Sequence, residues 1–391
     1  MSEASAARGP FAVAESVIQT SVNDYPKSTG VLPYQWLRAM INSGELVGAV
    51  PIGDDQIQPA SLDLRLGRRA YRVRASFLPG PDATVLDKVQ QLGLGPSIDL
   101  ESGAVLEKGA VYVIELLESV KLNGFTEGIV NPKSSTGRLD VLTRLITDRS
   151  SSFDRIEKGY RGPLFIEVAP QSFSIVVRQG SRLNQVRFHR GSPALAASQA
   201  NKLYESGQLV QVNGKRAPLQ DYLVPVTVDL MGGALSNVVG YRARKHAGVI
   251  DVDLPRHYGP HEFWEKIEGT SGQLVLDPDE FYILASREEV GVPPDLAAEM
   301  VPYNSSSGEF RVHYAGFFDP GFGWDGRAGG SRAVLEVRSY GVPFMLDHGQ
   351  IVGWLRYGRM ARMPDKVYGG GIKSNYQGQK VALAKHFKPF V

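Results

Sequence analysis

Cysteine is absent from all 391 residues. Disulfides are therefore excluded, and so is any zinc site built on thiolates. No stretch approaches the ~20 consecutive apolar residues that a membrane-spanning helix needs. An excess of one charge is missing too. Lys and Arg number 43 against 41 Asp and Glu, a net charge of +2. Such a balance gives no bulk field for a nucleic-acid partner, although a local anion site is compatible with it. The first 30 residues lack a basic start followed by an apolar run, so no secretory leader is expected and the cytoplasm is the default location. Residues 1–30 are rich in Ser and Ala and read as a flexible arm. The seven His show no metal-ligand spacing, and His257 and His261, four apart, lie among Pro and Gly and read as a loop.

Gly (43) and Pro (24) are abundant and spread throughout. Between them lie short β-branched and aromatic runs such as VYVIELL, PLFIEVA, RAVLEVRS and IVGWLRY, which read as strands. Helical periodicity is confined to Pro33–Ser43, with Trp36, Leu37 and Met40 on one side, and to Ala196–Ser206. The expected fold is all-β with minor helix, each domain a sandwich or barrel of short strands.

Two halves of the chain repeat one pattern. LEKGAVYVIELLESV (106–120) and LDPDEFYILASREEV (276–290) align at an offset of ~170 residues, and the same offset relates KSSTGR to NSSSGE and FIEV to VLEV. Two copies of one domain follow: domain one at 31–195, a polar, turn-rich linker at 196–221, and domain two at 222–391 with a C-terminal tail.

The chemistry concentrates in two places. Lys133-Ser134-Ser135-Thr136-Gly137-Arg138 offers hydroxyls, backbone N–H groups and two cations, a set suited to phosphate. An ordinary Ser-rich turn would read the same way. Glu167 sits in FIEV, where a carboxylate is costly unless paired or working. Alternation alone could point it outward. Glu336 holds the same place in the second copy, which makes a solvated face harder to defend for both.

In order and spacing, QPASLDLRLG (58–67), KSSTGRL, GYRGPLFIEV and VRQGSRLNQVRF resemble the dCTP deaminase/dUTPase family. PYNSSSGEF, HYAGFFDPGF, AVLEVRSYGVPFMLDHGQIVGWLRY and the tail YGGGIKSNYQGQ repeat the set. The resemblance implies two tandem dUTPase-like β-barrel (jelly-roll) domains, a nucleoside triphosphate bound between domains, and hydrolytic deamination of dCTP to dUTP and ammonia. It implies no protein-held metal, with Mg²⁺ travelling on the triphosphate, and the missing Cys agrees with a route unlike that of the zinc deaminases. Carried over by position, Glu167 or Glu336 is the general base, and Ser134 and Arg138 hold water and the base edge. Lys133 and Ser135 face phosphates, while Lys373, Gln377 and, more loosely, Tyr368 close over the nucleotide. Asp319 belongs to the base-binding hairpin.

The copies differ in what they keep. Asn304 and Glu309 stand where the first copy has Lys133 and Arg138, and a carboxylate cannot replace a guanidinium. Domain two keeps Ala315, Asp319 and the tail. A divided site is expected, with Lys133, Ser134, Ser135 and Arg138 from domain one and Asp319, Glu336, Lys373 and Gln377 from domain two. The alternative sets Glu167 against Arg138 between the first domains of two chains. A dUTPase, a bifunctional enzyme forming dUMP, and a non-catalytic dNTP sensor are competing functions. The family resemblance also implies a homo-oligomer around a threefold axis.

Overall fold

The computed structural model describes residues 28–211, 219–232, 237–269, 271–301, 310–313, 316–326, 329, 331–372 and 376–390. Of the expected arm, residues 1–27 lie outside this set, and Gly30–Val31 forms a short strand paired with Arg190 and His189. The second Ser turn, residues 302–309, lies outside it as well.

The described chain is mostly β-sheet with a few short helices, arranged as two domains in tandem. Both domains use one strand order. In the first, the central sheet runs Leu66–Val73, Val111–Lys121, Arg161–Pro170, Val141–Thr147. In the second it runs Val238–Ala243, Phe281–Val290, Arg332–Ser339, Phe310–His313. The register repeats too: Glu167 stands opposite Val113, and Glu336 opposite Ile283.

Period-2 alternation decides what each face does. Leu164, Ile166 and Val168 enter the main core of domain one, so Phe165 and Glu167 take the other face. That face is covered by Val85 and Val89 of a helix, Val85–Leu92, capped by Thr84 and Asp87. Ala333, Leu335 and Val337 likewise enter the second core, and Val334 and Glu336 take the face toward domain one.

The helix Tyr34–Asn42 begins after Pro33 and buries Trp36, Leu37 and Met40. Residues 196–221 carry structure of domain two rather than a free connection. Ala197–Glu205 is helical, Val210–Gln211 pairs with Val290 and Glu289, and Tyr204, Leu209 and Val210 sit in the second core. Residues 212–218 of that segment lie outside the described set.

The domains are joined by more than the chain. Ile175–Val177 pairs in parallel with Ile250–Asp251. Phe173 packs edge-on against Phe263 and Trp264 at 5.6 and 5.5 Å, and Phe387 of the C-terminal segment closes the same cluster. This apolar seam fixes one domain against the other, and the polar cavity opens beside it.

Candidate active site between the domains

A cavity of about 380 Å³ lies on the seam. Domain one supplies Asp63, Lys133, Ser134, Ser135, Arg138, Arg182 and Gln185, and domain two supplies Phe317, Asp319, Val334, Glu336 and Tyr368. Tyr376, Gln379 and Lys385 enter from the C-terminal segment.

The Ser turn is one helical turn, Ser134–Gly137, after the strand Thr126–Pro132. Its direction is set by Thr136, whose hydroxyl donates to the Leu183 carbonyl at 2.7 Å. Thr136 and Gly137 are buried behind the wall, while Ser134 and Ser135 line it. Arg138 is buried, yet two of its donors are already engaged: Nη1 with the Ala382 carbonyl at 3.1 Å and Nη2 with Gln379 Oε1 at 2.9 Å. Its guanidinium lies 3.9 Å from the centre of the Tyr376 ring. The Nε–H has no hydrogen-bond partner among the described residues. A buried guanidinium with a spare donor is held ready for an acceptor that the described residues do not supply.

Glu336 reaches the cavity from Arg332–Ser339. Among the described residues, none hydrogen-bonds its carboxylate. Burial pushes its carboxyl well above the usual carboxylate range; the Arg138 charge opposes this and Asp140 adds to it. Asp319 is held by Arg187, which reaches across the seam at 3.1 Å and also donates to the Ala298 carbonyl at 2.9 Å. Burial raises the Asp319 carboxyl against the pull of Arg187. Tyr368 approaches through a close backbone contact. Its N–H donates to the Pro320 carbonyl at 2.8 Å, and a Cβ on Gly321, at φ +93°, would meet the Tyr368 carbonyl oxygen at 2.8 Å. Burial lifts the Tyr368 phenol to about 12.

The cavity therefore gathers Lys133, Ser134, Ser135, Arg138, Asp319, Glu336 and Tyr368. Glu167 lies elsewhere. It bonds Arg144, its cross-strand neighbour, at 2.6 Å, and Phe153 lies against that guanidinium at 4.0 Å. Gln377 does not line the cavity; its Oε1 accepts from the Gly323 N–H at 3.2 Å. Gln379, two positions on, is the glutamine that touches Arg138. Lys373 and Ala315 lie outside the described residues. Sequence reading missed Arg187, Tyr376, Gln379 and Lys385. The nearest signal was the RLNQ run, which contains the cavity residues Arg182 and Gln185.

No group of three or more His, Asp or Glu among the described residues could hold a metal ion. The carboxylates nearest the cationic end are already taken by cations, Asp63 by Lys133 and Asp253 by Arg178.

Comparison with known proteins gives one answer. Residues 28–192 match the family model "2'-deoxycytidine 5'-triphosphate deaminase (DCD) N-terminal domain", and residues 196–387 match that for the C-terminal domain. A Corynebacterium diphtheriae protein named "dCTP deaminase, dUMP-forming" is 31% identical over 186 residues, which is 46% of this chain and 91% of that one. An Aeropyrum pernix protein named "dCTP deaminase" is 27% identical over 166 residues, 41% of this chain and 83% of its own. The crystal structure of 2'-deoxycytidine 5'-triphosphate deaminase from Agrobacterium tumefaciens superposes with a TM-score of 0.80 at 50% identity, over 85% of this chain and all of that one.

Proposed function

The chain belongs to the dCTP deaminase family, and from that premise we propose that it hydrolyses dCTP at C4 of the cytosine ring, releasing ammonia and dUTP for deoxyuridine nucleotide supply. One observation carries the assignment of roles: the buried Glu336 carboxylate and the buried Arg138 guanidinium, from different domains, line one polar cavity.

Water is a poor nucleophile, and a carboxylate with a raised pKa is suited to take its proton. As the water oxygen bonds to C4, Glu336 takes one of its protons and passes it to ring N3. Glu336 then takes the remaining hydroxyl proton, the C4–N4 bond breaks, and the nitrogen leaves as ammonia carrying that proton. Both water protons are then accounted for, one on N3 and one on ammonia. Ser134 positions the water. Arg138, with its unpartnered Nε–H, stabilises charge on the ring, a preorganised donor of the kind that lowers such barriers. Lys133 and Ser135 take phosphates, Asp319 and Tyr368 border the nucleoside, and Lys373 and Gln377 belong to the covering tail. Mg²⁺ would enter on the triphosphate as part of the substrate.

The repeated strand order supports reading both domains as dUTPase-like barrels. Self-association around a threefold axis is part of the proposal, supported by exposed apolar pairs such as Val275 opposite Met345. A cytoplasmic location is the setting this substrate implies.

A second reading has its own support. Several relatives carry the name "dCTP deaminase, dUMP-forming", so the same site could also cleave the α–β phosphate bond. Product analysis with dCTP, dUTP and CTP tests both. Ammonia with dUTP supports deamination alone, and ammonia with pyrophosphate and dUMP supports the bifunctional reading. Nucleotide binding without ammonia would overturn both in favour of a sensor.

A further inference from the structure

At one end of the cavity all the cations but one sit in ion pairs among the described residues. Lys133 is paired with Asp63, Arg182 with Asp55 at 2.6 Å, and Arg178 with Asp251 and Asp253 at 2.6 Å each. Lys385 lines the same end and makes no ion pair or side-chain hydrogen bond with a described residue. Its ammonium is pushed down from the usual range, chiefly by burial and next by the Lys133 charge.

An unpaired, half-buried lysine facing a second cation is costly, and such a side chain would ordinarily swing to solvent. The backbone beneath it is fixed. Ala384 and Phe387 are buried in the apolar seam, and His386 Nε2 donates to the Val252 carbonyl at 2.9 Å. The Lys385 N–H donates to the Tyr376 hydroxyl at 3.2 Å, and its carbonyl accepts from the Arg256 N–H at 2.9 Å. Every neighbour is tied down, and the side chain keeps its charge toward the cavity. Such a site is built to be completed by an anion.

We propose that Lys385 is a specificity-determining residue that binds the terminal phosphate of the nucleotide, and so makes the enzyme favour triphosphates over diphosphates. The inference rests on the deaminase reading of the cavity. Lys133 and Ser135 would hold the phosphates nearer the nucleoside, at the Ser turn. Lys385, beside Lys133, Asp63, Asp253 and Arg182, would take the outermost one. A charge-assisted contact to the outermost phosphate is lost when that phosphate is missing, and the unpaired lysine is restored.

Calorimetric titration of dCTP, dCDP, dUTP and dUDP into wild type, Lys385→Met and Lys385→Arg tests this. Wild type should bind each triphosphate at least tenfold tighter than its diphosphate. Lys385→Met should lose tenfold or more for triphosphates and under threefold for diphosphates, and Lys385→Arg should recover most of the preference. Lys385→Met should melt no lower than wild type, because a desolvated cation is removed; Lys385→Gln serves if it does not fold. Equal losses for both nucleotide classes, or an unchanged preference, overturn the role of Lys385. Absence of binding by wild type would instead overturn the deaminase reading itself.

Discussion

The Arg338 guanidinium donates to the Asp140 carboxylate across the domain seam. Asp140 lies two residues after Arg138, and Arg338 two residues after Glu336. The working charges and the locking charges thus run in parallel with their signs exchanged. Ser172 donates to the same carboxylate at 2.6 Å, and Arg338 also donates to the Asp279 carbonyl at 2.7 Å. The lock fixes the register at which the Ser turn meets the strand carrying Glu336.

Breaking this lock on one side should be severe. Arg338→Ala leaves Asp140 buried without its cation and should cost about 3–5 kcal/mol. The double variant Asp140→Asn/Arg338→Met should cost less than Arg338→Ala alone. Urea unfolding of both variants checks the order, and a larger cost for the double variant would count against a coupled pair.

Glu336→Gln should lower kcat by roughly 10²–10⁴, the range for losing a positioned general base. Glu167→Gln should keep kcat within about threefold while reducing stability, because Arg144 loses its charged partner. Steady-state kinetics on the two purified variants separates them. Loss of turnover only in the Glu167 variant would move the site to a contact between chains.

The pH dependence follows from the raised Glu336 carboxyl. The base form is lost as pH falls, so kcat/KM should decline on the acid side from well above the ordinary value of 4.5. Stability has the opposite sign. The folded state holds this proton more tightly than the unfolded chain, so ionisation costs stability as pH rises. Glu336→Gln escapes the cost and should be the more stable protein at alkaline pH. Its advantage should vanish as pH falls toward 4.5, which melting curves across pH will show.

His386 gives an acid-side prediction. Burial pushes its imidazole down from 6.5 to about 4. The unfolded chain therefore takes up a proton first, and stability is lost as pH falls from 6.5 toward 4, by up to about 3 kcal/mol. The bond to Val252 anchors the segment carrying Lys385. Hydrogen exchange should show that segment loosening below neutral pH, and His386→Phe should flatten the response.

Much of this arrangement was legible in the sequence. The duplication and the alternating strands gave two β domains, and comparison of the copies pointed to a site shared between them. Three things were not legible. In the tail run YQGQ the sequence reading took Gln377, whereas pairing of Gln379 with Arg332 brings Gln379 to Arg138. Val210–Gln211 is too short to show a period, so its segment read as a linker. Arg187 sits in VRF like an ordinary outward cation, and only the meeting of two domains buries it. Long-range contacts of this kind leave no local pattern.

The acid and the guanidinium that line the cavity, Glu336 and Arg138, belong to one polypeptide. Where acid and guanidinium belong to separate molecules, dilution pulls them apart and turnover per chain falls. Here the tether keeps their effective concentration constant however scarce the protein becomes.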